Sequence, residues 1–326
     1  MKRLALIAAI VLPLCTVATV PTFADAKTKE QTTLKFEGML GRLFNMFGGG
    51  KASKDGITST AAVKGNRKAT MNDMAGQIID LSEEKVYDLN VKKKEYTVTT
   101  FEQIRQRMRE NAEKAKQQQE KEEPGEKGQP QKEYEVDWDV KETGQKKQVA
   151  GHDTHETIVT ITVREKGKKL EESGGIVMTS DMWLGPKLAE MKELSDFDIR
   201  YWKQLQQGTG IGDLSPEQAA QLLALFPLAG KAMERMQKDG DKLAGTPLDT
   251  TMTIEAVKSP EQMTQEQSNS GGGGGGIGGM LAKKMMKKEP PKQRSLVMTT
   301  NHVVLEVGKT VDAADLAVPA DYKLKK

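Results

Sequence analysis

The chain has one cysteine, Cys15, and it lies in an apolar run near the N-terminus. Loss of that run would leave no thiol, excluding disulfide staples, thiolate metal ligands and a cysteine nucleophile. Aromatic residues are only 5% of the chain, so a core has to be built from aliphatic side chains and the 17 methionines. Histidine is scarcer still, with His152, His155 and His302 the only examples. The net charge is +3, and Lys and Arg interleave with Asp and Glu rather than forming a concentrated basic face, so nucleic acid is not an expected partner. The later run Leu222-Leu223-Ala224-Leu225-Phe226 is too short to cross a bilayer. There is no G-x-S-x-G elbow and no phosphate-binding loop, and the glycine run Gly271 to Gly276 has no strand-turn-helix frame around it. No cofactor is expected.

What the N-terminus does contain is specific. Lys2-Arg3 precedes an apolar stretch from Leu4 to Val20, and Ala24-Asp25-Ala26 follows as an A-x-A site. This is the pattern of a cleavable secretory signal peptide over residues 1–26, with the cut expected after Ala26 and a periplasmic or secreted destination. Pro13 and Pro21 break the run and argue against a permanent anchor. Leu14 before Cys15, where lipidation wants a small residue, argues against a lipoprotein.

The remaining chain reads mainly as strand. Gly76 to Phe101 holds three short β-prone runs, Gln77–Leu81, Lys85–Leu89 and Glu95–Thr99, joined by polar turns: an antiparallel meander. Thr32–Phe36 is a first strand. Ile57–Lys64 and Arg67–Asn72 form a hairpin around Gly65-Asn66. Tyr134–Val140 alternates strictly, Thr143–Lys147 turns it, and Thr157–Val163 (TIVTITV) is the most β-prone run in the chain. Ile176–Trp183, Leu248–Val257 and Leu296–Val307 complete the strands, and Leu316-Ala317-Val318-Pro319 leads into the tail.

Helical signals are fewer. Thr100 caps a helix from Phe101 to Glu122 whose outer part is almost wholly charged and polar. Lys187–Leu194 is a short helix, and Ser195-Asp196 caps a second one to about Gln207. Ser215-Pro216-Glu217 opens another to Lys238, interrupted by Pro227. Three stretches read as insertions, at about 38–54, 110–132 and 259–292. In the first, Leu43, Phe44 and Phe47 recur at helical spacing between glycines; they either touch a membrane or partner or fold back onto the core. In the third, Lys283, Lys284, Met285 and Met286 suit contact with an anionic lipid surface, or simply a solubilising loop.

Candidates for chemistry are thin. His152-Asp153-Thr154-His155 invites a metal, but on an extended strand residues three apart point to opposite faces, so no metal site is expected. Asp80 and Asp88 sit on adjacent strands of the meander, where a polar face is their ordinary home.

Several short patterns together carry a family likeness. They are Gly65-Asn66-Arg67-Lys68, Ile78–Leu81, Lys85–Leu89, Lys94–Tyr96, Val149-Ala150-Gly151-His152, Trp183-Leu184, Leu243–Leu248 and Leu316–Lys323. In these the chain resembles the bacterial family called domain of unknown function 4412, similar in plan to the LolA-like carriers of lipoproteins and lipids. Asp321 stands where such tails commonly have Gly. The resemblance implies an α+β, mainly β domain over residues 27–326: a curved antiparallel sheet, or half-barrel, with helices on its concave face. Such a sheet can enclose a cavity for acyl chains. Residues alternating along the strands would line it: Ile79, Leu81, Val86, Val159, Ile161, Val163, Met252 and Ile254. The same residues would equally build a closed core. The expected function is that of a non-enzymatic periplasmic binding protein for a lipid or lipoprotein acyl chain, with peripheral membrane contact. The alternative is a structural or interaction module with an envelope protein as partner.

Overall fold

Twelve strands form one open, curved sheet in the computed structural model, which describes residues 25–121, 133–207, 238–269 and 292–325. In chain order they are β1 (Ala26–Phe36), β2 (Ile57–Lys64), β3 (Arg67–Asn72), β4 (Ala75–Asp80), β5 (Lys85–Asn90), β6 (Glu95–Thr100), β7 (Tyr134–Val149), β8 (His152–Glu165), β9 (Gly175–Gly185), β10 (Thr246–Val257), β11 (Arg294–Gly308) and β12 (Lys323–Leu324). Their order across the sheet is β12-β6-β5-β4-β3-β2-β1-β11-β10-β9-β8-β7. All pairs are antiparallel except the short β12 with β6. The central strand β1 therefore divides the sheet into a β2–β6 half and a β7–β11 wing.

The helices are α1 (Gly38–Phe44), α2 (Gly50–Lys54), α3 (Phe101–Lys121), α4 (Leu170–Ser173), α5 (Ala189–Gln206) and α6 (Pro260–Asn269). Helix α5 buries Leu194, Phe197 and Leu205 against Ala26, Val63, Ile79, Leu81 and Val86, with Phe101 at the root of α3 closing the cluster. Lys68, on the same side, reaches Asp198 of α5 at 2.7 Å. This side is here termed the helix face. On the other side Val311, Leu316, Val318 and Tyr322 of the C-terminal tail cover Ala62, Ala69, Ile78 and Leu89. That side is the tail face. Alternation along each strand thus feeds two packed layers in the β2–β6 half, which is why Ile78 and Ile79 are both buried.

The meander and the Gly65-Asn66 hairpin form as the sequence predicts. Other boundaries differ, each for a physical reason. The turn expected at Thr143–Lys147 is a bulge within one long strand, with Gly144 at φ +78°. The chain reverses instead at Ala150-Gly151, both at positive φ. Ser195 and Asp196 do not start a new helix. Helix α5 runs through them because its apolar stripe is continuous, and Asp196 pairs with Lys192 one turn back. Ser259, assigned to low-complexity coil, caps α6: the Gln262 N–H donates to its Oγ at 3.2 Å and its own N–H donates to Gln262 Oε1 at 2.8 Å. The insertion at 38–54 is helical, passing through a π turn at Asn45–Gly49 between α1 and α2. The expected helix from Pro216 and the glycine run lie outside the described residues.

Candidate functional site

The register of the wing decides which side chains share a face, because directly paired residues project to the same side. One row runs across six strands: Trp138, Ile161, Met178, Ile254, Met298 and Phe36 are successive direct partners. The next row is Val140, Val159, Ser180, Met252, Thr300 and Leu34. On the outer side of the first row lie Val136, Val163, Ile176 and Ala256. Leu34 and Phe36 alternate in step with Ala26, which lies under α5, so all three rows belong to the helix face.

The opposite face of the same strands is mainly polar, with Val177 and Ile158 among its apolar members. Asp139, Thr160, Thr179, Thr253, Thr299 and Lys35 make one of its rows. The wing is thus a two-sided sheet, apolar on the helix face and threonine-rich on the other. Yet Trp138, Ile161, Val163, Met178, Met252, Ile254 and Met298 belong to none of the three clusters of buried residues that hold the described fold together. They form an apolar floor rather than part of that core.

The expected lining residues therefore separate into two groups. Ile79, Leu81 and Val86 are core, packed under α5. Val159, Ile161, Val163, Met252 and Ile254 come together on the floor, with Val159 the most buried of them. Reading strand by strand missed Trp138, Met178, Met298 and Phe36. The alternation of Tyr134–Val140 and Ile176–Trp183 was a signal for the first two.

Beside the floor, α1 sets Phe44 edge-on against Phe36 with ring centroids 5.1 Å apart. Leu43 is exposed, as are Leu40 and Met46, so α1 extends the apolar surface past the end of β1. Phe47 lies in the π turn. Lys283, Lys284, Met285 and Met286 are outside the described residues.

Toward α5 the floor becomes polar. The row after Val140–Leu34 is Glu142, Thr157, Met182, Thr250, His302 and Thr32. Next along β1 is Glu30, paired with Val304. His302 Nδ1 lies 3.1 Å from Thr32 Oγ1, and its Nε2 lies 3.5 Å from Glu30 Oε2. Thr28 Oγ1 donates to Glu30 Oε1 at 2.8 Å.

A second polar group occupies the other face of the wing. Lys147 Nζ bridges Asp249 at 2.7 Å and the ring of Trp183 at 3.9 Å from its centroid. Asn301 donates to Asp249 Oδ1 at 2.9 Å and to Thr251 Oγ1 at 3.0 Å. Buried Glu156 accepts from Thr143 Oγ1. Asp181 Oδ1 is buried with no hydrogen-bond partner. Burial, then the nearby Glu156 charge, raises the Asp181 pKa above the usual aspartate value, although Lys147 opposes the shift. The cluster is a network of ion pairs and hydrogen bonds around Trp183.

Asp80 and Asp88 make local hydrogen bonds within the meander. Asp80 accepts from the N–H groups of Ser82 and Glu83, both at 2.9 Å, and holds the β4–β5 turn. Asp88 accepts from Gln77 across the strand pair at 2.9 Å. His152 and His155 lie on an extended strand and point to opposite faces. No protein-family model and no curated protein matches the chain.

Proposed function

We propose that this is an exported, non-enzymatic binding protein of the cell envelope that holds the acyl chain of a lipid or lipoprotein against the apolar floor of the β7–β11 wing. The observation that carries the proposal is the unbroken row from Trp138 to Phe36, on the helix face but outside the packed core. An acyl chain laid on such a surface gains roughly 0.8 kcal/mol for each methylene it buries, so affinity comes from length rather than from directed bonds. The exposed Leu40 and Leu43 of α1 and Met46 of the following π turn suit the moment of transfer, when chain or membrane must be met at the sheet's rim.

Native mass spectrometry of protein purified from its own envelope, followed by lipid extraction, tests the proposal. The wild type is expected to carry lipid. Met178→Glu and Ile254→Glu, which put charge on the floor, are expected to lose it while keeping the fold. Lipid-free wild-type protein from its native membrane source would reject the proposal.

A second reading, an interaction module for an envelope protein, is favoured by the exposed Ile199 and Trp202 on the outer side of α5. Its mark would be a crosslinked partner lost in Trp202→Ala, with no lipid on the purified protein.

A further inference from the structure

We infer that the ligand of the floor is an amphiphile with an ammonium head, seated at Glu30, Thr32 and His302. This rests on the acyl-binding reading of the same face.

Three mainly apolar rows give way, along the strand direction, to the row holding Glu142, Thr157, Thr250, His302 and Thr32, and then to Glu30. From Val163 to Thr157 the strand advances six residues, roughly 20 Å of extended chain. That length accommodates a single fatty-acyl tail, with its polar end beside α5 and its methyl end at the outer rim. The floor therefore has a direction, and the polar end decides which head it takes.

At that end Glu30 is a carboxylate without a fixed cation. Among the described residues no lysine or arginine reaches Glu30; its partners are the Thr28 hydroxyl and the His302 ring. Two other carboxylates of the wing do have cations of their own: Asp249 has Lys147 at 2.7 Å and Glu255 has Arg294 at 2.6 Å. The Glu30 side chain is 21% exposed, so water reaches it only in part. A carboxylate in that position, beside apolar side chains, gains more from a cation than an open surface carboxylate does. An ammonium is compact and carries up to three donors. Glu30 Oε2 and the Thr32 and Thr250 hydroxyls are acceptors on the same face. A carboxylate or phosphate head would instead meet Glu30 as a like charge.

The experiment compares two probes of equal tail, dodecylamine and dodecanoate, by titration calorimetry on the full folded protein. The amine is expected to bind about tenfold more tightly, the equivalent of one charge-assisted contact. Glu30→Gln is expected to erase that preference while leaving the tail-driven binding of both probes. If Glu30→Gln does not fold, Thr32→Val at an exposed position of the same site is expected to reduce the preference. Equal or tighter binding of dodecanoate to the wild type would overturn the head assignment and leave the acyl reading standing. A preference that persists in a folded Glu30→Gln would also overturn it. Binding of neither probe would overturn both.

Discussion

Two residues of the wing hold unusual positions, and each predicts a measurement. Ala150 turns the β7–β8 hairpin at φ +48°, ahead of Gly151 at φ +79°. A left-handed conformation costs an ordinary L-residue about 1 kcal/mol, and Asn-Gly is the preferred pair for such a turn. Ala150→Asn is therefore expected to raise stability by about 0.5–1 kcal/mol, read as a higher urea midpoint with unchanged slope. Asp181 predicts a pH dependence. Its folded pKa is raised, first by burial and then by Glu156, so the folded state favours the protonated carboxyl. That contribution is complete below the unfolded aspartate pKa and is lost as pH rises through the folded value. Asp181→Asn keeps an uncharged side chain of similar shape, so its stability is expected to lose this decline. Urea unfolding of both proteins across the weakly acidic range checks it. The amide should also relieve the unpartnered Oδ1, because its nitrogen can donate to the Glu156 carboxylate.

At the scale of elements, α5 and β1 carry the load. Phe197 is fully buried where α5 meets the β2–β6 half, among Leu194, Leu205 and the Phe101 ring. Phe197→Ala should cost about 3–4 kcal/mol through lost transfer energy and the cavity left behind. Chemical denaturation measures it directly. The start of β1 makes a sharper test. Ala26 is 0% exposed and pairs with Val63, and Asp25 reaches Lys64 at 2.7 Å. A chain beginning at Lys27, the product of a cut after Ala26, lacks both contacts. It is expected to be less stable than one beginning at Asp25 by about 1 kcal/mol, mostly from the lost apolar burial. Paired thermal melts of the two proteins would show it, and equal melting temperatures would count against the assignment of Ala26 to the core.

Across the whole molecule, the two halves of the sheet are packed differently. The β2–β6 half is covered on one face by α5 and on the other by the C-terminal tail, so its alternating residues are consumed by core. The wing continues the same strands and the same helix face, but its apolar rows join none of those clusters. Among the described residues the two larger clusters lie in the β2–β6 half, and the wing contributes the smaller cluster of Val149, Leu248 and Val304, with its apolar rows outside all three. Substitutions on the floor should change ligand retention far more than melting temperature, whereas substitutions under α5 should do the reverse.

Much of this was legible in the residues alone. β-Branched runs and polar turns mark the meander, Gly65-Asn66 marks the hairpin, and the low count of aromatics means a core built mainly from aliphatic side chains. These are local facts, set by dihedral preference and by the period of side chains along a strand, so one sequence suffices to read them. The turn at Ala150-Gly151 was hidden because Thr143 and Gly144 offer a more familiar signal. Helix α6 was missed although Ser259-Pro260-Glu261-Gln262 has the same cap pattern that was recognised at Ser215. What no local pattern contains is register. Ile79 and Ile161 look alike in sequence, each apolar and alternating in a strand. The docking of α5 places Ile79 beneath Phe197, whereas the pairing of β7, β8 and β9 places Ile161 between Trp138 and Met178. Core and floor are distinguished by what lies across the sheet and above it, and that depends on contacts between elements far apart in the chain, such as β1 with β11 and α5 with β4, which only the tertiary structure brings together.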